Sequence, residues 1–287
     1  MLPISEEDID ELRNLQALQL MIAKEVDLLC RKYNINYVIT GGTLLGAVRH
    51  KGFIPWDDDL DIAIPRKDYE KFLAICKNEL ADAFFLQTID TDPCYGFAYA
   101  KVQLKGTCFL EKNAEKTGAI SGVFIDVFPL DFLPKEKGLQ KRLWRKLKFY
   151  KTLLLCKNKY KFAGKKSLVN KIAFQGMRFL SLLISRNKII DKINRITAMF
   201  NSRETNVYIN LFGAYSVGRE IFSKSAVELS KDILFEDTYL RGPNNPEVFL
   251  RNLYGDYMQL PPEDKRYNRH RALKISFGKY ASKRRDF

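Results

Sequence analysis

The chain has 287 residues, 46% hydrophobic and 29% charged, which allows a sizeable buried core and argues against a disordered or fibrous protein. The formal net charge is +14, but 20 Lys or Arg against 3 Asp or Glu fall between Lys135 and Thr205, leaving 28 basic and 31 acidic groups elsewhere. A regional excess of this kind argues against a uniformly basic nucleic-acid binder, and five cysteines without a CxxC pair argue against a disulfide framework or a zinc ribbon. Met1 to Asp10 lacks an apolar signal-peptide core, and no uncharged apolar run is long enough to span a membrane.

In chain order, Glu6 to Tyr33 reads as an amphipathic helix, with Leu12, Leu15, Leu18, Ile22, Val26 and Leu29 near the helical period. Ile35 to Thr40 is a β-branched run ending at Gly41-Gly42, hence a strand, and Thr43 to Arg49 is a short helix beginning at the glycines. Asp59 to Ile64 alternates carboxylate and apolar residues, as a strand with one buried face does, and Pro65 ends it. Lys67 to Leu80 is helical. Phe84 to Ile89 and Phe97 to Leu104 are strands around an Asp92-Pro93 turn, and Val123 to Phe128 is a strand closed by Pro129. Lys135 to Thr205 reads as two or three basic helices. A strand at Val207 to Phe212, a hairpin around Leu234 to Tyr239 and a helix from Pro246 to Tyr254 follow. The expected fold class is α+β, a mixed sheet flanked by helices, with residues 1–134 and 206–287 as the core and 135–205 as a basic helical insertion.

Chemistry concentrates at Trp56-Asp57-Asp58-Asp59-Leu60-Asp61. Four carboxylates so close repel one another unless a cation joins them. On one strand Asp59 and Asp61 share a face, and such a pair suits one or two Mg²⁺ (or Mn²⁺) ions, hard cations that prefer oxygen ligands. Leu60, Ile62 and Ile64 anchor this run in a core, unlike a solvated acidic loop. Upstream, Gly41-Gly42-Thr43 lets backbone approach an anion, and the following helix N-terminus offers a phosphate seat.

The run from Gly41 through Arg49, His50, Trp56 and the aspartates to Ile62 resembles the signature of the LicD family, bacterial phosphocholine transferases related to the animal fukutin-related proteins. That family is similar to the nucleotidyltransferase superfamily, and the expected core is therefore nucleotidyltransferase-like. The resemblance implies a third acidic residue on a later strand, which Asp126 in Val123-Phe124-Ile125-Asp126-Val127-Phe128 supplies; Asp131 reads as a turn residue. Tyr254-Gly255-Asp256-Tyr257-Met258, Leu260 to Arg266 and His270 resemble the family's C-terminal segment. The basic middle matches no motif.

Together these imply metal ligation by Asp59, Asp61 and Asp126. Asp126 or Asp57 would take a proton, with His50 as a further proton-transfer candidate. Gly41, Gly42, Thr43, Arg49, Trp56, Asp58 and His270 would contact substrate. Arg49 suits a phosphate, and Trp56 suits choline's quaternary ammonium. Structural roles for Arg49, His50 and Trp56 remain open. The implied reaction moves phosphocholine from CDP-choline to a sugar hydroxyl of a cell-surface glycan or teichoic-acid precursor. Donors such as CDP-ribitol, CDP-glycerol or a nucleoside triphosphate, or a non-catalytic RNA- or membrane-binding role, are alternatives. The cationic, apolar segment Lys141 to Tyr150 fits an amphipathic helix on an anionic membrane, placing the protein in the cytoplasm at the membrane's inner face, beside a lipid-linked acceptor.

Overall fold

The computed structural model describes residues 6–161, 168–215, 218–267 and 272–281. Helix α1 (Glu6–Lys32) turns its apolar stripe inward, burying Leu15, Leu18, Ile22, Val26 and Leu29. Strand β1 (Val38–Ile39) leads into α2 (Gly41–His50), and β2 (Asp61–Pro65) into α3 (Arg66–Glu79). Then come β3 (Phe84–Gln87), β4 (Ala100–Leu104), β5 (Cys108–Leu110) and β6 (Val123–Phe132). Three helices follow, α4 (Lys137–Lys157), α5 (Leu168–Leu183) and α6 (Arg186–Phe200). The chain returns through β7 (Val207–Asn210), β8 (Ile221–Ser223), α7 (Lys224–Glu228), the hairpin β9 (Lys231–Phe235) and β10 (Thr238–Gly242), α8 (Pro246–Tyr254) and β11 (Lys274–Ser276).

The fold is α+β, built on a mixed seven-stranded sheet in the order β1-β2-β6-β4-β3, with β7 and then β8 added through β6. Only the β2–β6 pairing is parallel; β4 and β7 run antiparallel to β6. Strand β6 is the hub, paired on both edges, and is almost wholly buried because helices α1, α3 and α6 pack against it. β11 pairs with β5 in a small separate sheet that the sequence pattern did not announce.

Three expectations are corrected. First, Pro129 does not close β6, which continues to Phe132. Asp126 N–H donates to Leu60 on the β2 edge, whereas Leu133 N–H donates to Val207 on the opposite edge. On that second edge the ladder to β4 stops at Val127 and the ladder to β7 starts at Leu130, so proline's missing N–H falls in the gap between partners. Second, α2 takes in Gly41 and Gly42 as its first turn, two residues ahead of the expected Thr43 bound, with Gly41 at φ +56°. Third, β2 begins at Asp61, so Asp59 belongs to the irregular approach and not to the strand.

Helix α4 also departs from its expected place. Its Leu143, Leu147, Leu153 and Leu154 are buried against α5 and α6, so the apolar side of Lys141 to Tyr150 faces protein. Asp131, read as a turn residue, is fully buried on β6. Arg66 Nε and Nη2 bind its two oxygens at 2.7 and 2.9 Å, and Asn201 Nδ2 donates at 2.6 Å, tying the end of α6 to the sheet.

Candidate active site

The parallel register sets Asp61 opposite Asp126, and the antiparallel register sets Asp126 opposite Lys101, which in turn lies opposite Gln87. Laterally paired residues share a face. One polar row therefore crosses β2, β6, β4 and β3, with Asp61 and Asp126 side by side and their backbones one inter-strand spacing of about 4.8 Å apart.

Local bonds fix this row. Thr40 N–H donates to Asp61 O at 3.1 Å, and Asp61 N–H donates to Thr43 Oγ1 at 2.8 Å, pinning the first residue of β2 to the first turn of α2. Behind the aspartate run, Gln19 Nε2 donates to Asp58 O at 2.7 Å and Gln16 Nε2 to Asp57 O at 2.8 Å. These two glutamines stand out in α1 as polar residues three apart on its leucine face, a signal the periodicity already carried.

The glycine pair is where the carboxylates converge. A Cβ on Gly41 would lie 3.2 Å from Asp61 Oδ2, and one on Gly42 would lie 2.5 Å from Asp57 Oδ2 and 3.9 Å from Asp59 Oδ1. Three acidic side chains therefore approach the first turn of α2, the positive end of the helix dipole, whose leading N–H groups have no partner within the helix. Asp59 reaches this point although it is not on β2. Asp58 differs: only 3% exposed, it is part of the packed approach.

Electrostatics follow from the crowding. Burial holds the Asp61 carboxyl well above the usual carboxylate range, and the charges of Asp59, Asp126 and Asp57 add to the effect. Burial also pushes Asp126 up to about 6, against the pull of Lys101 and with the push of Glu111 and Asp59. Lys101 is only 5% exposed and sits 3.4 Å from both Asp126 Oδ1 and Glu111 Oε2, with its ammonium over the Phe124 ring. Those carboxylates outweigh its burial and keep it protonated. Beside Lys101 is a cavity of about 20 Å³, room for a water molecule and no substrate.

Asp126 Oδ1 is buried and, despite the nearby ammonium, accepts no hydrogen bond. An adjacent pair of crowded carboxylates with such an oxygen fits a hard divalent cation. Among the described residues, no three His, Cys, Asp or Glu side chains close into a cage. Asp59 nevertheless lies close enough for its charge to raise both Asp61 and Asp126. This suits Mg²⁺, which takes one or two carboxylates and completes its shell with water and substrate phosphates.

The far end of α2 carries a second group, about 12 Å from Gly42 by the helical rise. Arg49 Nε donates to His50 Nε2 at 2.9 Å, and Arg49 Nη1 to Tyr257 O at 2.9 Å. Burial and the neighbouring Arg49 lower the His50 pKa, so the ring is neutral at pH 7, with Nε2 used as an acceptor. Trp56 meets His50 edge-on at 6.2 Å and lies under the Arg266 guanidinium at 6.0 Å. Arg49, His50 and Trp56 thus bind one another and the C-terminal segment rather than joining the carboxylates. His270 lies outside the described residues.

Three residues near the carboxylates had no site role in the sequence reading, although Tyr254 lies in the C-terminal family segment. Tyr254, at the end of α8, has its phenol raised by burial and by Tyr215, with Asp57 and Asp61 contributing. Tyr215 meets it edge-on at 6.2 Å. Glu220 is 6% exposed and pushed up to about 7, mainly by burial, and its charge is felt at Asp61. Glu220 carries no motif; only its place at the start of a short strand could have drawn attention.

Residues 34–170 match the family described as LicD/FKTN/FKRP, nucleotidyltransferase domain. Over 90% of this chain and 96% of the relative, the sequence is 27% identical to the lipopolysaccharide cholinephosphotransferase LicD of Haemophilus influenzae. Shorter stretches resemble uncharacterised proteins of Rickettsia prowazekii (38% identical over 29% of this chain and 40% of that protein) and Rickettsia typhi (52% over 23% and 21%). The glycine pair, the aspartate run and Asp126 all fall inside the matched family segment, and the chain resembles the LicD family of transferases.

Proposed function

We propose that this transferase moves phosphocholine from CDP-choline to a sugar hydroxyl of a lipid-linked cell-surface glycan, a lipopolysaccharide or teichoic-acid precursor, and releases CMP. The observation that carries this reading is the Asp61–Asp126 pair, side by side on one face, with Asp57 and Asp59 converging on the glycine turn of α2. The relative named above acts as a cholinephosphotransferase, which favours choline as the transferred alcohol.

In this reading the core is nucleotidyltransferase-like and formed by residues 1–134 and 206–287, with 135–205 as an insertion. Asp59, Asp61 and Asp126 would hold Mg²⁺ or Mn²⁺, which would supply charge neutralisation for the diphosphate and the developing negative oxygen. The first turn of α2 faces the diphosphate with its free N–H groups, and the missing Cβ of Gly42 leaves room for Asp57. The acceptor hydroxyl oxygen attacks the phosphorus that bears choline, the bond from that phosphorus to the CMP oxygen breaks, and Asp57 takes the hydroxyl proton. Lys101 steadies Asp126 from the Oδ1 side at 3.4 Å, and Tyr99 Oη donates to Asp126 Oδ2 at 3.5 Å. The basic insertion brings the protein to the inner face of the membrane, where a lipid-linked acceptor is presented; no helix among the described residues is long and apolar enough to cross it.

The test is CMP release from a panel of CDP-choline, CDP-ribitol and CDP-glycerol, with and without a lipid-linked glycan and Mg²⁺. Choline-specific release that needs both acceptor and metal supports the reading. Release from another CDP-alcohol moves the assignment to that donor, and full activity in Asp61→Ala would overturn the site.

A further inference from the structure

Among the described residues of the helical segment, most of the exposed apolar surface lies on α5, with Phe149 of α4 and Met199 of α6 exposed singly. Its inner side packs toward α4 through Met177, Leu180 and the buried Ser181, whose carbonyl accepts from Lys157 Nζ at 2.9 Å. Its outer side carries Ile172, Phe179, Leu182 and Leu183, which are 64%, 67%, 70% and 69% exposed. Ile172, Phe179 and Leu183 are spaced seven and four apart, one stripe of an α-helix. A helix that is apolar on both sides needs a second partner surface, and none covers this stripe among the described residues.

Charge decides the partner. α5 itself has two cations, Lys171 and Arg178, and no anion. The next helix exposes Lys188 and Lys192, and the whole 135–205 segment carries 20 basic against 3 acidic residues. A second copy of the chain would bring two such segments face to face, a like-charge juxtaposition that opposes association. An anionic bilayer satisfies both features: acyl chains take the stripe, and headgroup phosphates take the surrounding ammonium and guanidinium groups. By contrast α4, the more cationic helix, turns Leu143, Leu147, Leu153 and Leu154 inward and exposes only Phe149 among its large apolar side chains.

We infer that α5 is the membrane-docking element of this protein, lying in the plane of an anionic lipid surface with Ile172, Phe179 and Leu183 inserted. This rests on the reading that the protein works at a membrane, but it needs neither the donor nor the metal assigned above. Vesicle binding can therefore fail while transfer to a soluble acceptor stands, and the reverse.

The experiment is co-sedimentation of the full chain with vesicles of phosphatidylcholine alone, or of phosphatidylcholine with about one-third phosphatidylglycerol, at low and high salt. Wild type should bind the anionic vesicles and be weakened by salt. Ile172→Ser, Phe179→Ser and Leu183→Ser combined should lower the partition constant at least about tenfold, with the thermal melt unchanged. A single Phe179→Trp variant guards against misfolding of the triple variant, and its added indole fluorescence should be quenched by brominated acyl chains. The inference is overturned if wild type does not bind anionic vesicles, or if the triple variant binds them as wild type does. It is equally overturned if the added fluorescence of Phe179→Trp is not quenched, or if the triple substitution only turns a dimer into a monomer or releases an acidic protein partner.

Discussion

Removing one charge from the buried carboxylate pair tests the electrostatic account of the site most directly. Asp126 ordinarily titrates near 3.8 and is pushed up to about 6 in the folded chain, first by burial. A raised folded pKa means the native state holds its proton more tightly. Its contribution to stability is therefore full below pH 3.8 and is lost as pH rises through about 6. Two pH units at about 1.4 kcal/mol each give a loss of about 3 kcal/mol in metal-free protein. Asp61, also raised, adds in the same direction. Saturating Mg²⁺ at 100 times its dissociation constant returns about 2.7 kcal/mol, close to the loss from Asp126 alone. At roughly 2–4 °C per kcal/mol for a chain of this size, that is a melting shift on the order of 5–10 °C. Asp61→Asn removes one of the repelling charges. Its metal-free melting temperature should fall less between pH 4.5 and 7.5 than that of wild type, and its Mg²⁺ shift should vanish. The assay is thermal melting across that pH range, with and without Mg²⁺. A flat metal-free profile for wild type, or a full Mg²⁺ shift in Asp61→Asn, would refute the reasoning.

Lys101→Met leaves Asp126 and Glu111 buried without their shared cation, and should cost about 3–5 kcal/mol in denaturant unfolding at pH 8. Part of that loss should return at pH 5, where the carboxyls can protonate. Gly42→Ala places a Cβ 2.5 Å from Asp57 Oδ2 and must displace that carboxylate. CMP release should fall on the order of a hundredfold while the melting temperature changes little, the pattern expected when a positioned group shifts by about an ångström. Glu220, pushed up to about 7 from 4.5, withdraws stability as pH rises through that interval. Glu220→Gln should raise stability at pH 8 by up to about 3 kcal/mol, less any weakened hydrogen bonds from Asn210 and Tyr215, and leave it unchanged at pH 4, as read by denaturant midpoints.

Some of this molecule was legible in the chain itself because it depends on local periodicity. The stripe of α1, the helix after Pro65, the glycine start of α2 and the helix from Pro246 follow from spacing and from proline and glycine chemistry, which act over a few residues. The motif from Gly41 to Ile62 and the later Asp126 also marked the acidic site, since ionised groups set among apolar residues need a partner.

What the sequence could not decide was register and facing. Asp59 and Asp61 are two apart, yet only Asp61 lies on β2, and its neighbour is Asp126, 65 positions later, through a parallel ladder. Lys101 joins the row through β4, with no local sign that it would. Arg49, His50 and Trp56 sit inside the motif, but tertiary packing commits them to one another and to the C-terminal segment. In the basic middle, packing turned Leu143, Leu147, Leu153 and Leu154 of α4 inward and left Leu182 and Leu183 of α5 outside. Hydrophobic pattern states that a face must be covered; only the arrangement of the other elements settles which faces the protein itself can cover.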